Sequence, residues 1–288
     1  MSIFDINGNY LTNAYETDGD ALPGAYDING NVVFSPDWTR IKVMSYNVGQ
    51  WYIGNGSNVP TDKYASYYNL QRSILSSNAP DVVGFQEYYD PFSTGHNVAD
   101  VIGEYFTDYV NNATSGYPAK AIYTNGYAIT DYSVHNFSVG DQLFIVGKIV
   151  VDGKDIWIIN VHLATSSQET NKVTQSVELF NYVSNLENFI ILGDFNTVCK
   201  SVNDTEYTTI MKQFVDAGYN IANCSAQHGF IDTYTDGTSE SGTWYPCDHV
   251  ITSPNIIMAD VYRDTTKLTD GLSDVIDHLP IIAELIVT

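Results

Sequence analysis

The 288 residues carry 34 acidic and 12 basic side chains, a formal net charge of −22, and 44% hydrophobic residues. This composition supports a large packed core and excludes global disorder. It also excludes a basic groove as the main grip on nucleic acid or on an anionic membrane, but leaves a phosphate-bearing substrate open, because a cation held by carboxylates supplies positive charge locally.

Residues 1–10 have no basic stretch followed by an apolar core, so no signal peptide is expected, and the localisation stays open. No apolar run is long enough for a transmembrane span. Residues 1–38 stand apart from the rest. The run Phe4-Asp5-Ile6-Asn7-Gly8-Asn9 recurs as Tyr26-Asp27-Ile28-Asn29-Gly30-Asn31. Asn-Gly between apolar residues is a turn signal, so each copy reads as a small hairpin. Two copies are too few for a solenoid. The segment therefore reads as an appendage that packs on the main domain or attaches it to a larger assembly, with the main domain over 39–288.

From Ile41 onward short apolar runs alternate with longer helical stretches. In chain order the pattern predicts a strand over Ile41–Tyr46, a helix over Tyr64–Leu75, a strand over Asp81–Phe85 and a helix over Val98–Tyr109. It continues with strands over Leu143–Val151 and Ile156–Val161, a helix over Gln168–Leu186 and a strand over Phe189–Leu192. A helix over Glu206–Ala217 and strands over Val250–Thr252 and Pro280–Val287 complete the series. Tyr64, Tyr67, Tyr68, Gln71 and Leu75 share one face of the first helix, which reads as helix packing. Strands mixed with helices on this scale mean α/β or α+β in one domain. Cys199, Cys224 and Cys247 form no CxxC pair and read as reduced, half-buried thiols.

Several apolar strands run into a polar residue that a core would not choose. Val43-Met44-Ser45-Tyr46 reaches Asn47, Val82 to Gln86 reaches Glu87, Ile158 to Val161 reaches His162, and Ile190 to Gly193 reaches Asp194 and Asn196. Asp248-His249 and Asp277-His278 follow. Ligands gather at strand ends, where loops present side chains from a rigid base. Carboxylates, amides and imidazoles together suit metal-assisted phosphoryl chemistry. A hard divalent cation takes carboxylate oxygens and neutralises phosphate charge, and a His oriented by a carboxylate can move a proton. There is no HExxH zinc motif and no GxSxG elbow.

Six motifs occur in order: Ser45-Tyr46-Asn47, Gln86-Glu87, Asn160-Val161-His162-Leu163, Gly193-Asp194-Phe195-Asn196, Asp248-His249-Val250 and Asp277-His278-Leu279-Pro280. Over residues 41–288 this series resembles the endonuclease/exonuclease/phosphatase superfamily, the DNase I-like proteins. The resemblance implies a four-layer sandwich of two packed mixed β-sheets flanked by helices. It implies Mg²⁺, with Mn²⁺ or Ca²⁺ as alternatives, held by Glu87 with Asn47 and Asp277 beside it. It further implies that Asp194 orients the attacking water, that Asn196 binds a phosphate oxygen, and that His278, fixed by Asp248, is the general base or transition-state stabiliser. His162 would contact the scissile phosphate or assist the leaving group.

The stretch from Thr124 to Gln142 has neither the Glu nor the Arg found between the second and third motifs of DNase-like members. Asn125-Gly126 is instead similar to the Asn-Gly of sphingomyelinases, which makes Asn125 a substrate-binding candidate. Secreted relatives also carry a disulfide after the Gly-Asp-Phe-Asn motif, which implies a Cys199–Cys247 bond in an oxidising compartment. The leading function is a nuclease cleaving phosphodiester bonds in DNA. The alternatives are a phosphoesterase acting on a lipid head group or small phosphate ester, and a binding protein that keeps the fold without the chemistry.

Overall fold

The computed structural model describes residues 3–4, 10–11, 25–26, 32–34, 39–49, 64–88, 102–112, 119–225, 228–235, 244–266 and 277–287. Near the N-terminus β1 (Ile3–Phe4) pairs antiparallel with β2 (Tyr10–Leu11), and β3 (Ala25–Tyr26) with β4 (Val32–Phe34). These strands bracket the two Asp-Ile-Asn-Gly-Asn repeats, whose own residues lie outside the described ones.

Two six-stranded sheets follow. The first contains β5 (Thr39–Asn47), β6 (Val82–Tyr88), β7 (Asp108–Asn111), β8 (Ala119–Thr124), β17 (Ile256–Arg263) and β18 (Ile281–Val287), in the order β17-β18-β5-β6-β8-β7. The second contains β9 (Thr130–Asn136), β10 (Leu143–Val151), β11 (Lys154–His162), β12 (Phe189–Asp194), β13 (Asn220–Ile221) and β16 (Asp248–Thr252), in the order β13-β16-β12-β11-β10-β9. Between β13 and β16 in the chain, β14 (Tyr234–Thr235) and β15 (Trp244–Tyr245) pair with each other. Among the described residues each six-stranded sheet has a single parallel pair at its centre, β5/β6 and β11/β12. Parallel neighbours need a crossover. Helix α1 (Tyr64–Asn78) makes the first and α2 (Glu169–Val183) the second.

The period-two alternation of these strands sorts the core into three layers of side chains. Ile41, Val43, Val82 and Ile122 of the first sheet face Ile158, Ile190, Leu192 and Val250 of the second. The other face of the first sheet, with Met44, Tyr46 and Phe85, packs on Tyr67, Leu70 and Ile74 of α1. The other face of the second, with Ile159, Val161 and Ile191, packs on Leu179 and Val183 of α2 and on Phe214 of α3 (Lys212–Asp216). The result is the expected four-layer sandwich. The sheets approach so closely at Gly84 that a Cβ there would lie 2.7 Å from Leu192 Cβ.

Two expectations change. Asp108 and Tyr109, placed at the end of a helix by their spacing, belong instead to the edge strand β7, with Tyr109 paired to Tyr123 and stacked on its ring at 5.0 Å. Cross-strand aromatic pairing outweighs a short helical periodicity; residues 98–101 lie outside the described ones. Glu206–Ala217 is split, with a π-helical stretch (Tyr207–Met211) leading into α3. The half-buried β7 and the largely exposed β9 carry too few apolar residues to stand out in sequence, and β8, although buried throughout, is short and interrupted by Lys120. Among the described residues no helix is long and apolar enough to cross a membrane.

Candidate functional site

The two parallel pairs end at the same edge of the sandwich, and their last residues converge there. Asn47 closes β5, Glu87 lies one residue from the end of β6, His162 closes β11 and Asp194 closes β12. Strand register puts Asp194 between His162 and Asp248, its direct partners on either side. His278 enters from an isolated bridge to Tyr234, fixed by a bond from Leu279 N–H to Thr233 O of 2.6 Å.

Asn47 joins the sheets at this edge. Its Nδ2 donates to Glu87 Oε1 at 3.2 Å and to Asp194 Oδ2 at 3.0 Å. Its Oδ1 accepts the Gly49 N–H at 3.0 Å, so the amide oxygen is turned from the carboxylates and Asn47 acts here as their donor. Asp194 Oδ1 accepts the Asn196 N–H at 2.7 Å, while Oδ2 faces the Nε2 atoms of His162 and His278, each at 3.5 Å. The other nitrogen of His278, Nδ1, bonds Asp248 Oδ2 at 2.8 Å. Asn196 Nδ2 donates to Leu163 O at 2.9 Å.

Backbone irregularities aim two of these groups. The β6/β8 ladder breaks between Phe85 and Tyr88, and inside that bulge Glu87 has φ 52°. A bulge re-aims side chains, and a left-handed acidic residue held in one is a strained, over-determined position. The carbonyls of Phe85 and Ala121 beside the bulge accept both hydrogens of Asn160 Nδ2, each at 2.8 Å, and Gln86 Nε2 donates to Asn160 Oδ1 at 2.7 Å. Asn160 thus ties the second sheet to the first directly beneath the site. Asn196 also has positive φ, 51°. Gly193 admits no side chain, since a Cβ would stand 2.7 Å from Val161 O.

The two histidines differ in charge. Burial pushes His162 down to about 4, only partly offset by the Glu87 carboxylate, so it is neutral near pH 7. Burial also presses His278 downward, but Asp248 and Asp194 outweigh it and hold its pKa at about 10. Glu87 is raised by burial, against the pull of His162 and His278. Asp248 is raised by burial, with His278 opposing. The arrangement therefore offers a carboxylate-rich pocket for a hard cation, a cationic imidazole held in one orientation, and a neutral imidazole across from it.

The ligand atoms of Asp194, Asp248 and His278 lie within 4.8 Å of one another. That group is already internally bonded, and a cation would have to break the Asp248–His278 bond. Among the described residues Glu87 has only the 3.2 Å Asn47 bond to lose, and the half-buried Asp277 adds to the effect of burial in raising its pKa, which places the two carboxylates in one field. Oxygen donors of this kind fit a hard divalent cation.

Asn125 does not join the site. Its N–H donates to Asp81 O at 2.8 Å, just before β6 begins, whereas Glu87 lies near that strand's far end. It is exposed at the opposite edge of the sheet. The Cys199–Cys247 pairing is also replaced. Cys199 Sγ lies 2.9 Å from Cys224 Sγ, while Cys247 Sγ donates to Thr197 O at 2.9 Å; all three are buried free thiols. The loop after Asn196 buries Cys199 beside Cys224, in the core cluster that holds Phe214 of α3. Tyr88, which follows Glu87, is buried with its OH 2.8 Å from Tyr123 OH.

Sequence reasoning missed two lysines. Lys172 is fully buried on α2, where Nζ donates to Asn196 O at 2.9 Å and pairs with Glu206, which in turn accepts the Val198 N–H. It holds the loop that carries Asn196. Lys120, at the start of β8, is 8% exposed. Burial lowers its pKa to about 8, against the fields of Glu87 and Asp194. No sequence signal pointed to Lys120, because the strand that carries it does not stand out by its own pattern.

The fold is the DNase I-like four-layer sandwich. No family model matches the chain, and no curated protein matches it in sequence. Solved structures do. D. rerio TDP2 complexed with a single-strand DNA product is 15% identical, with a TM-score of 0.68 over 86% of this chain and 99% of that one. The human Nocturnin catalytic domain with bound sulfate is 15% identical, with a TM-score of 0.62 over 86% and 96%. ANGEL2, a 2′,3′-cyclic phosphatase, in complex with adenosine-2′,3′-vanadate, is 14% identical, with a TM-score of 0.65 over 88% and 97%.

Proposed function

We propose that the protein is a divalent-cation-dependent phosphoesterase that hydrolyses phosphodiester bonds, with DNA as its substrate. The observation that carries this reading is the series Asp248–His278–Asp194, a hydrogen bond of 2.8 Å followed by a 3.5 Å charge contact, with Asn47 linking Asp194 to Glu87. Glu87 and Asp277 hold the cation, Mg²⁺ by the preference of oxygen donors, and Asn47 fixes Glu87 against Asp194. When bound, the cation neutralises charge on the phosphate and its leaving oxygen.

The protein's own groups do the rest. Asp194 orients a water and accepts its hydrogen bond. His278 carries its proton at neutral pH and so stabilises negative charge on the phosphate rather than serving as the base. Asp248 fixes its ring and tautomer. Asn196 and the neutral His162 present donors to phosphate oxygens. The single-strand DNA named with the TDP2 neighbour supports a nucleic-acid substrate. The lipid head-group alternative drew on Asn125, which lies at the other edge of the sheet.

The same reading divides the chain into a catalytic domain over 39–288 and an appendage over 1–38, whose repeats attach it to a larger assembly. The test is a substrate panel with Mg²⁺: plasmid and single-stranded DNA, RNA, sphingomyelin, inositol phosphates and a chromogenic phosphodiester, each with and without chelator. Cation-dependent cleavage of DNA is expected. Cleavage of the lipid or inositol esters alone would replace DNA as substrate, and no cleavage of any ester would overturn the enzyme reading.

A further inference from the structure

Two lysines of this acidic protein are at least nine-tenths buried among the described residues, Lys120 and Lys172. Removing an ammonium from water costs several kcal/mol unless a partner compensates. Lys172 has such partners in Glu206 and the Asn196 carbonyl. Among the described residues the Lys120 ammonium has no ion pair and no hydrogen bond.

The fold aims Lys120 into the site. Along β8, Ala119, Ala121 and Tyr123 pack toward α1, and Ile122 packs between the sheets. Lys120 therefore shares the inter-sheet face with Ile122. Across the gap, Ile158 lies in the inter-sheet core and Asn160 reaches Ala121 O, so His162 follows on the same face of β11. Lys120 enters beside it, where the apolar core stops. Strand order sets the flanks: β8 and β11 carry Lys120 and His162 on one side, β16 carries Asp248 on the other, and Glu87, Asn47 and Asp194 lie between.

We propose that Lys120 is a substrate-binding residue whose ammonium contacts a non-bridging oxygen of the substrate phosphate, on the flank opposite His278. The inference rests on the phosphoesterase reading of the site and deepens it. With Glu87, Asp194, Asp248 and Asp277 around one pocket, an anionic phosphate needs a fixed protein cation on the side away from His278, and Lys120 is placed to be that cation. A charge-assisted contact of this kind is short and strong.

The experiment uses the full chain as wild type, Lys120→Met and Lys120→Arg, with circular dichroism to establish folding. Inorganic phosphate binding is measured by calorimetry at fixed Mg²⁺, Mg²⁺ binding separately, and hydrolysis of a chromogenic phosphodiester as KM and kcat. The expected result is a phosphate Kd raised about tenfold or more in Lys120→Met, a matching rise in KM, recovery in Lys120→Arg, and unchanged Mg²⁺ affinity. Phosphate affinity equal in wild type and Lys120→Met, or an effect confined to Mg²⁺ affinity, would overturn the proposal and make Lys120 a counter-charge for Glu87. Absence of phosphate binding to the wild type would also overturn it. If Lys120→Met does not fold, Lys120→Gln takes its place against Lys120→Arg under the same criteria. Lys120-dependent phosphate binding without hydrolysis of any ester would sustain this inference while defeating the proposed function.

Discussion

His162 and His278 approach the same oxygen, Asp194 Oδ2, each with Nε2 at 3.5 Å, yet they carry different charges near neutral pH. The difference lies in their other contacts. His278 has the buried Asp248 carboxylate on Nδ1, whereas His162 has the weaker field of Glu87 and the opposing one of Lys120. One imidazole is thereby a fixed cation and the other a neutral donor or acceptor.

Replacing His278 with Ala is expected to lower turnover by about two to four orders of magnitude, the range for losing a positioned proton-bearing group. Asp248→Asn should lower it as well, because the ring loses its charged anchor. Single-turnover rates on the best substrate, with circular dichroism to show an intact fold, make the comparison. Wild-type turnover in a folded His278→Ala protein would remove His278 from the chemistry.

Chelator should abolish activity reversibly. Glu87→Gln should raise the Mg²⁺ concentration for half-maximal rate and weaken Mg²⁺ binding measured directly by calorimetry, since few protein carboxylates hold the ion. Full activity in excess chelator would contradict the cation requirement.

The histidines also set opposite pH limbs of stability in the cation-free protein. His278, raised to about 10 in the fold from 6.5, contributes stability that is complete below pH 6.5 and is lost as pH rises toward 10. His162, lowered to about 4, contributes stability present above pH 6.5 and lost as pH falls toward 4. Urea midpoints across pH should show His278→Gln flattening the alkaline limb and His162→Gln the acid one. Limbs that ignore these substitutions would assign the pH dependence to other groups.

Lys172→Met should destabilise the protein by about 3–5 kcal/mol, because the buried Glu206 carboxylate then lacks its cation. Adding Glu206→Gln should recover part of that loss. Urea unfolding of the two variants is the measurement, and a small cost for Lys172→Met alone would mean that water reaches Glu206.

The three thiols should resist alkylation until the protein unfolds, since burial raises the pKa of Cys224 and Cys247 and only thiolate reacts. Refolding in a glutathione redox buffer should join Cys199 to Cys224, whose Sγ atoms are in contact, and peptide mapping would identify the bond. A Cys199–Cys247 product would contradict the arrangement of this loop.

The sequence by itself determined the central strands and the strand-end residues of the site. Runs such as Ile156 to Val161 and Phe189 to Leu192 are buried on both faces, so their composition is strongly constrained, and a polar residue at their end has few reasons other than function. Asn47, Glu87, His162 and Asp194, at or next to the ends of such strands, were legible for that reason, whereas Asp248 and His278 were legible only through the motifs that contain them. Tertiary structure alone decided what depends on strand direction and neighbours. Asn125 and Lys120 both belong to the β8 segment, yet only the antiparallel pairing of β6 with β8 puts Lys120 at the site edge and Asn125 at the other. The edge strand β7, with its polar ends, is defined by its partner rather than by its own pattern. The cysteine neighbours were likewise set by a loop path that residue spacing does not encode. The charge state of each histidine depends on burial and on carboxylates distant in the chain, because Coulomb interactions follow distance in space rather than separation along the sequence.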